Sequence, residues 1–348
     1  MARCALAAMA LAATVAMEFT EDDMATEQSM QKLYERWCSH HEVARDDDDK
    51  ALRFAIFKKT VHKVHAFHQT TPSYKMGVNI FADMKDEEVA AHTKCIMEEP
   101  FNQAEKGAAT FPSLKGRLAN DGIKLELPSE IDWRQEGKVT GIKTQFLCGS
   151  CWAFAAAAAV ESMNAIWNDE LVDLSPQQLM DCDSTSRACN GGFFIRAFMW
   201  IQNNGGLARY DQYPYLARRG NCSMSLVPTV PIYGYTRVPP MSEAELREAV
   251  CDQPVAVAVD SSDDLFQHYT GGIYKGPCSR WKLTHSMLVV GYNSTSSGDS
   301  YWILKNSWGK HWGENGYMRL SRKVNDEGYG TCGILNVAAY PYQNYDWY

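Results

Sequence analysis

The spacing of apolar and polar residues divides the chain into a charged, helix-rich first third and a longer second part. Apolar residues recur at helical spacing over residues 26–41 and again over residues 49–68. In the second of these segments they define one face, formed by Leu52, Ile56, Val64 and Phe67. The pattern predicts two amphipathic helices before residue 126.

The second part of the chain changes from helical patterns to strand patterns. A long apolar run from Cys151 to Trp167 predicts a buried helix with Ser150 as its N-cap. Further helices are predicted over residues 175–182 and 193–203, with a short one at a Ser242–Glu245 capping box. Four strands are predicted, over Val255–Val259, Ser286–Tyr292, Tyr301–Lys305 and Tyr317–Ser321. We therefore expect an α+β fold, with a helical half followed by a β half.

The first seventeen residues have a different composition from the rest. Arg3 precedes a small and apolar run from Cys4 to Met17, and acidic residues follow at once. This order is typical of a secretory signal peptide over residues 1–17, and the run is shorter than the ~20 residues of a membrane span. The net charge of −8 and the pI near 5.6 disfavour a nucleic-acid partner, and we expect no membrane partner.

Three residues of the second part suggest nucleophilic catalysis. Cys151 opens the buried helix, where unpaired N–H groups and the helix dipole favour the thiolate. His285 begins an apolar strand 134 residues later, and an imidazole there could activate the thiol. Asn306 could bond the far ring nitrogen of that imidazole and fix its tautomer and orientation. Together the three residues predict a cysteine nucleophile with its base.

Simpler interpretations exist for each residue alone. Cys148 and Cys151 could form a redox pair or half of a zinc site, but a thioredoxin-like motif carries its Trp before the first Cys, and no second C-x-x-C is present. A single His in an apolar strand is usually a core residue, and a single Asn usually lies in a turn. Only their combination with Cys151 favours catalysis.

Several segments resemble the papain family of cysteine proteases. The sequence CGSCW at residues 148–152, with the distant His285 and Asn306, resembles the catalytic signature of that family. Residues 306–317 resemble the segment that carries the family's catalytic Asn, and residues 127–134 resemble its mature N-terminus. The resemblance implies a two-lobed papain-like fold, in which a helical lobe and a β-barrel-like lobe enclose the active-site cleft.

The resemblance also implies a role for each site residue. The catalytic set is Gln145, an oxyanion donor, with Cys151, His285 and Asn306, and Trp308 is expected to cover the bond between the last two. The substrate backbone is expected along Gly191 and Gly192. The pocket for the second residue before the cleaved bond is expected to be lined by Phe193, Phe194, Ala258, Leu283, Ser286 and Val337. The implied activity is that of a cysteine endopeptidase acting on proteins and peptides, with no metal or organic cofactor.

The segment before residue 127 resembles an inhibitory propeptide. Residues 49–68 resemble the interspersed helix motif of cathepsin L-like pro-segments, and Gly77-x-Asn79-x-Phe81-x-Asp83 matches their shorter motif. A region rich in Gly, Ala, Pro and Lys follows from residue 102 and resembles a cleavable linker. We expect a propeptide over residues 18–126 and a peptidase domain over residues 127–348.

The remaining expectations concern covalent features and partners. The implied disulfides are Cys148–Cys189, Cys182–Cys222 and Cys278–Cys332, which leave Cys151 and Cys251 unpaired. Asn221 and Asn293 begin glycosylation sequons, and Asn293 is favoured because Cys222 lies within the other sequon. We expect a monomer of the secretory pathway, vacuolar, lysosomal or extracellular, that its own propeptide inhibits and that cystatin-type inhibitors could bind.

One rival interpretation is a catalytically impaired relative that only binds peptides or proteases. The presence of all four catalytic residue types argues against it. Three departures from the family pattern affect efficiency rather than reaction type. Phe146 stands where many members have Gly, Thr284 stands where plant-type members often have Asp, and the segment from Cys278 to His285 is one residue longer than usual.

Overall fold

A computed structural model describes residues 17–70, 73–93, 95, 126–223, 228–322 and 328–343 of the 348-residue chain. The predicted signal peptide, apart from Met17, lies outside the described residues. So does the expected linker over residues 102–125.

The first third of the chain forms helices that pack around a small core of their own. The two predicted helices are present as α2 (Glu27–His40) and α3 (Asp47–His68). They are accompanied by α1 (Glu21–Met24), β1 (Tyr74–Met76) and α4 (Asp86–Thr93).

The expected apolar face of α3 is partly wrong. Leu52 is 53% exposed, and the buried side chains are Arg53, Phe57, Thr60, Val61 and Val64. Arg53 can be buried because its guanidinium donates to the carboxylates of Glu88, at 2.7 and 2.8 Å, and Asp49, at 2.7 Å. The helix therefore buries polar residues that a search for apolar spacing overlooks.

The helices of the second part lie close to their predicted bounds. They are α5 (Cys151–Trp167), α6 (Pro176–Cys182), α7 (Phe194–Asn203), α8 (Glu243–Asp252) and the short α9 (Asp264–Gln267). Ser150 occupies the N-cap position of α5, but its side chain does not cap the helix, contrary to our expectation. Its hydroxyl lies 2.7 Å from that of Tyr215, which in turn donates to the carbonyl of Gln145. Ser150 thus ties the helix start to a neighbouring loop.

A nine-stranded sheet forms the second lobe. Its strands are β1, β2 (Ile131–Asp132), β3 (Gly234–Arg237), β4 (Val255–Val259), β5 (Tyr269–Tyr274), β6 (His285–Ser294), β7 (Ser300–Lys305), β8 (Tyr317–Ser321) and β9 (Ala338–Tyr342). The order is β1-β5-β8-β7-β6-β4-β9-β3, with β2 paired to β6, and only the β5–β8 pair is parallel. All four predicted strands belong to this sheet.

The central strands β4 and β6 separate two cores. Along β4, Val255, Val257 and Val259 join the core of the β lobe, and Ala256 and Ala258 join that of the helical lobe. Side chains alternate between faces along a strand, so a strand covered on both faces reads as a continuous apolar run. His285 is the first residue of β6 and pairs with Val259, so it lies where the two lobes meet.

The first third of the chain shares both a sheet and a hydrophobic core with the β lobe. Strand β1 pairs antiparallel with β5, a contact that the sequence did not predict. Val64, Tyr74, Met76 and Phe81 are members of the same hydrophobic core as the strands of the β lobe. Removing this segment therefore exposes apolar surface of the second lobe.

Four disulfides join the described residues. Three are the pairs that the resemblance implies: Cys148–Cys189, Cys182–Cys222 and Cys278–Cys332. The fourth joins Cys95 to Cys151, so the expectation of an unpaired Cys151 is wrong for this form of the chain. Cys251 is free and half-buried.

Among the described residues, no helix combines the length and apolar character needed to cross a lipid bilayer.

Candidate active site

Cys151 lies at the first residue of α5, fully buried between the two lobes. The backbone N–H of Ser286, on β6, points at its sulfur from 3.2 Å. The sulfur is bonded to Cys95, which belongs to the segment that precedes the peptidase region. In this form Cys151 therefore carries no thiol.

His285 faces these sulfur atoms with one ring nitrogen and Asn306 with the other. Its Nε2 donates to Asn306 Oδ1 at 2.7 Å, which places the proton on Nε2 and leaves a lone pair on Nδ1. Nδ1 lies 3.4 Å from Cys95 Sγ, and ligand atoms of Cys95, Cys151 and His285 lie within 4.8 Å of one another. The Trp308 ring lies over the imidazole, 4.5 Å between centroids, and all of these groups are buried. The structure thus brings the predicted Cys, His and Asn together.

The electrostatic state of His285 is set by its burial beside a disulfide-bonded sulfur. Burial lowers the pKa of His285 to about 4, and the hydrogen bond to Asn306 only partly opposes that effect. With the sulfur of Cys151 held in a disulfide, no thiolate is present to favour the imidazolium. The histidine is therefore neutral in this form.

Gln145 is fully buried, and its amide nitrogen donates to a carbonyl on each side of the cleft. Its Nε2 donates to the carbonyl of Cys148 at 2.9 Å and to that of His92, in α4, at 3.2 Å. Its Oε1 accepts from the Ser307 hydroxyl at 2.6 Å, which fixes the orientation of the amide. Ser307 was not predicted as a site residue, although its place directly after Asn306 could have suggested it.

The first third of the chain enters the cleft at Cys95, whose backbone bonds both sides of the cleft. The N–H of Cys95 donates to the carbonyl of Thr284 at 3.0 Å, and its carbonyl accepts from the N–H of Gly192 at 3.1 Å. A Cβ on Gly192 would lie 2.5 Å from the Trp152 indole, so only glycine fits there. Gly191, at φ 102°, also has a backbone conformation that favours glycine. Gly192 thus bonds the propeptide backbone at Cys95, whereas the backbone N–H and C=O of Gly191 bond Ala188 and Arg187.

The predicted pocket residues fall into two groups. Ala258, Ser286 and Val337 are brought together, because Ala258 pairs with Ser286 across the sheet and its N–H donates to the Val337 carbonyl. Phe194 is fully buried in the core of the helical lobe, and Phe193 and Leu283 are partly buried against that core.

The motif at residues 77–83 supplies further contacts between the first third and the β lobe. Asn79 Nδ2 donates to the Gln267 carbonyl at 2.8 Å, and the Phe81 ring meets Trp308 edge-on at 4.9 Å. Asp83 is buried and accepts from Arg45, at 2.6 and 2.9 Å, and from Tyr34, at 2.8 Å. The motif therefore holds the first third of the chain against Trp308, whose ring covers His285.

Two of the three departures from the family pattern have structural consequences. Phe146 has φ 50°, a left-handed conformation that suits glycine better, and its side chain is 57% exposed beside Gln145. The Thr284 hydroxyl accepts from the N–H of Ser261 at 2.9 Å. It therefore bonds the main chain and brings no charge next to His285.

Two groups of described side chains have the composition of a metal site. They are Cys95 with Cys151 and His285, and His40 with His41 and His311. In the first group both sulfurs are disulfide-bonded, which removes the thiolates that a metal would need.

Two lobes with a Cys, a His and an Asn at their junction, closed by an N-terminal segment, define the precursor of a cysteine protease. Comparison with known families agrees. Residues 127–342 match the papain family cysteine protease model, and residues 34–89 match the cathepsin propeptide inhibitor domain.

Relatives of known name resemble nearly the whole chain. Thiol protease SEN102 of Hemerocallis sp. is 43% identical over 93% of this chain and 89% of its own length. Vignain of Vigna mungo is 40% identical over 94% of this chain and 89% of its own. A solved structure of recombinant stem bromelain precursor, 39% identical, superposes with a TM-score of 0.80 over 90% of this chain and 99% of its own.

The chain belongs to the papain family of cysteine proteases and carries the propeptide inhibitor domain of the family's precursors. It is a cysteine-type endopeptidase.

Proposed function

We propose that this chain is a latent endopeptidase precursor in which Cys151 is the nucleophile, His285 its base and acid, Asn306 the orienting group and Gln145 the oxyanion donor. One observation supports the proposal above all. Cys151, His285 and Gln145 all contact the N-terminal segment in the cleft, Gln145 through a donation from Nε2 to the His92 carbonyl, and Asn306 holds the far side of the His285 ring.

The reaction begins once the sulfur of Cys151 is free. The proton moves from the thiol to His285 Nδ1, whose lone pair is available because Asn306 holds the ring proton on Nε2. The thiolate attacks the peptide carbonyl, and the developing oxyanion accepts from Gln145 Nε2 and the Cys151 backbone N–H; removal of one such donor typically costs about 10²-fold in rate. The imidazolium then protonates the leaving amine, and the neutral imidazole later activates water to hydrolyse the thioester.

Substrate binding follows from the cleft walls. An extended peptide would bond Gly192 and the Thr284 carbonyl, as Cys95 does in the precursor. The pocket formed around Ala258, Ser286 and Val337, with Phe193, Phe194 and Leu283 beside it, carries no charge. An uncharged pocket favours a bulky apolar residue two positions before the cleaved bond.

The propeptide acts as an intramolecular inhibitor because it fills the cleft and shares the core of the β lobe. We place the propeptide at residues 18–126 and the mature enzyme at 127–348, after removal of a signal peptide at 1–17. The protein would follow the secretory route to a vacuole, a lysosome or the outside of the cell.

Three finer expectations complete the proposal. Asn293, at the surface end of β6, is the favoured glycan acceptor, and Asn221, next to the Cys182–Cys222 disulfide, is the second candidate. The mature enzyme would be a monomer, and cystatin-type inhibitors would bind the same cleft.

The test is to compare the acid-matured wild type with Cys151→Ala on a peptide amide. We expect the variant to lose all measurable hydrolysis, because no other described cysteine lies at a helix start beside a histidine. Substantial activity in the variant would show that another group is the nucleophile.

A further inference from the structure

Cys95 is a propeptide residue that the proposed reaction does not use, yet it lies against the catalytic groups. Both Cys95 and Cys151 are fully buried, and they are joined by a disulfide. We propose that this bond is a reversible redox latch, which holds the catalytic sulfur until thiol–disulfide exchange releases it. The inference rests on the proposed function, since it concerns the same nucleophile.

The backbone around Cys95 explains why its sulfur reaches Cys151. Hydrogen bonds to Thr284 on one side and Gly192 on the other fix the main chain of Cys95 between the two lobes. The Cα atoms of Cys95 and Cys151 are 6.0 Å apart, within the range of ordinary disulfides. The propeptide is thus held in a register that aims the thiol at the nucleophile.

The latch closes by ordinary exchange with a small disulfide such as oxidised glutathione, the class of oxidant found in the secretory pathway. The Cys151 thiolate attacks one glutathione sulfur and releases one glutathione thiolate. The Cys95 thiol loses its proton to solvent, attacks the Cys151 sulfur and releases the second. Two protein thiols are oxidised to one disulfide, and one glutathione disulfide is reduced to two thiols.

The latch makes latency stricter than non-covalent inhibition alone. A propeptide that loosens transiently can still be cleaved by a free thiolate, whereas a disulfide-bonded sulfur cannot attack. Because both sulfurs are buried, a reductant reaches them only after the propeptide has loosened. Activation therefore requires two conditions together: a loosened propeptide and a reductant.

The experiment uses the precursor from Glu18 onward, prepared without reductant under nitrogen. We expect non-reducing peptide mapping to find a peptide pair linked through Cys95 and Cys151. Of its ten cysteines, we expect two to react with a thiol reagent in denaturant, Cys38 and Cys251, against four if the latch is open.

A matched pair of variants tests the consequence for activation. At acid pH the wild type should mature only when a phosphine reductant is added, and Cys95→Ser should mature without it. Cys38→Ser, which removes the free propeptide thiol in α2, should behave as the wild type does.

The outcomes separate this inference from the proposed function. If wild type and Cys95→Ser mature equally well without phosphine, the latch is wrong although the protease is real. If neither hydrolyses a peptide even with phosphine, the proposed function itself is wrong.

A second, independent observation concerns three histidines outside the catalytic cluster. His40 is the last residue of helix α2 of the propeptide, His41 follows it, and His311 lies in the peptidase region between β7 and β8. One ring nitrogen from each lies within 4.8 Å of the others, and the ring centroids are 4.7, 5.4 and 5.8 Å apart. We infer that the three side chains form a zinc site that joins the propeptide to the peptidase domain.

The hydrogen bonds of these rings support a metal rather than a simple contact. His41 Nε2 donates to the Val78 carbonyl, which leaves the lone pair of Nδ1 free. His41 Nδ1 and His311 Nδ1 are both buried without a hydrogen-bond partner. Buried ring nitrogens normally have a partner, and a zinc ion at about 2.0–2.1 Å would supply one to each.

Three imidazoles leave a fourth tetrahedral position for water, a ligand set that suits Zn²⁺. His40 is exposed and can rotate to close the remaining distance. Since the site exists only while the propeptide is docked, zinc at 100 times its Kd would lower spontaneous undocking about 100-fold.

The test is calorimetric titration of zinc chloride into the Cys95→Ser, Cys151→Ala precursor, in which neither active-site sulfur can bind zinc. We expect one zinc per chain. His40→Ala should abolish binding without unfolding the chain because the residue is exposed, and His311→Ala should do the same. His62→Ala, an exposed histidine of α3, should bind as the parent does.

Zinc binding of equal strength in the parent, His40→Ala and His311→Ala would mean an adventitious ion only and would overturn the site. So would binding to a peptidase domain without its propeptide that matches binding to the precursor.

Discussion

Propeptide release in acid should depend on His92. This residue of α4 is buried with no partner at Nδ1, and its ring meets Phe81 edge-on at 5.3 Å. Burial lowers the pKa of His92 to about 4, although the Glu88 carboxylate raises it slightly. The docked propeptide therefore holds His92 neutral, whereas a released propeptide would hold it at an ordinary pKa near 6.5.

The sign of the effect follows from proton binding. Between pH 6.5 and about 4 the released form binds a proton at His92 and the docked form does not, so docking weakens as the pH falls through that window. At pH 5 the solution is about 1.5 pH units below the ordinary histidine pKa of 6.5. Protonation of His92 in the released form therefore weakens docking by about 2 kcal/mol, or roughly 30-fold in the docking equilibrium. No other propeptide histidine contacts the catalytic groups among the described residues.

The perturbation is His92→Gln, a side chain that is neutral at every pH. With phosphine present, the ratio of the maturation rate at pH 5 to that at pH 7 should fall by up to roughly 30-fold relative to the wild type. The ratio cancels any effect of glutamine that does not depend on pH, and the mature enzyme is the same in both. His62→Gln, exposed on α3, serves as the control. An unchanged ratio in His92→Gln would refute the reasoning.

Three further predictions concern latency, catalysis and specificity. Glu88→Gln should speed maturation at pH 7, because it leaves the buried Arg53 guanidinium short of a charged partner and so destabilises the folded propeptide by about 1–3 kcal/mol. Glu27→Gln, which breaks an exposed ion pair, should leave the maturation half-time unchanged. Asn306→Ala should lower kcat by roughly 10²-fold with little change in KM, since His285 would lose its fixed tautomer; a change confined to KM would contradict this. Peptide amides with Leu or Phe two positions before the cleaved bond should surpass those with Arg or Lys in kcat/KM by roughly ten- to a hundred-fold; a preference for a basic residue would contradict the pocket assignment.

The sequence predicted elements whose cause is local. Helix α5 and strand β4 have the predicted bounds because each is a continuous apolar run, and the length of the first and the shortness and valine content of the second distinguish helix from strand. The Cys, His and Asn of the site were found because their surroundings resemble a known family. Ser150 was misread because its hydroxyl bonds Tyr215, far along the chain, in place of the helix start.

The features that the sequence did not predict depend on contacts between distant segments. Strand β1 is three residues long and forms only because β5 lies beside it, so no period marks it. The buried face of α3 contains Arg53. A charged residue is expected at the surface, but Arg53 is buried because it bonds the Glu88 carboxylate. The Cys95–Cys151 bond joins residues 56 positions apart whose proximity depends on the docked propeptide.

The central claim is that Cys151 performs the chemistry of a peptide-bond hydrolase, and one measurement tests it most directly. The acid-matured, phosphine-reduced protein is titrated with a thiol-reactive electrophile while peptide hydrolysis is followed, and the labelled residue is identified by mass spectrometry. We predict one label per molecule, on Cys151, with activity lost in proportion to labelling. Full activity after complete labelling of Cys151, or inactivation that follows labelling of Cys251 instead, would contradict the account.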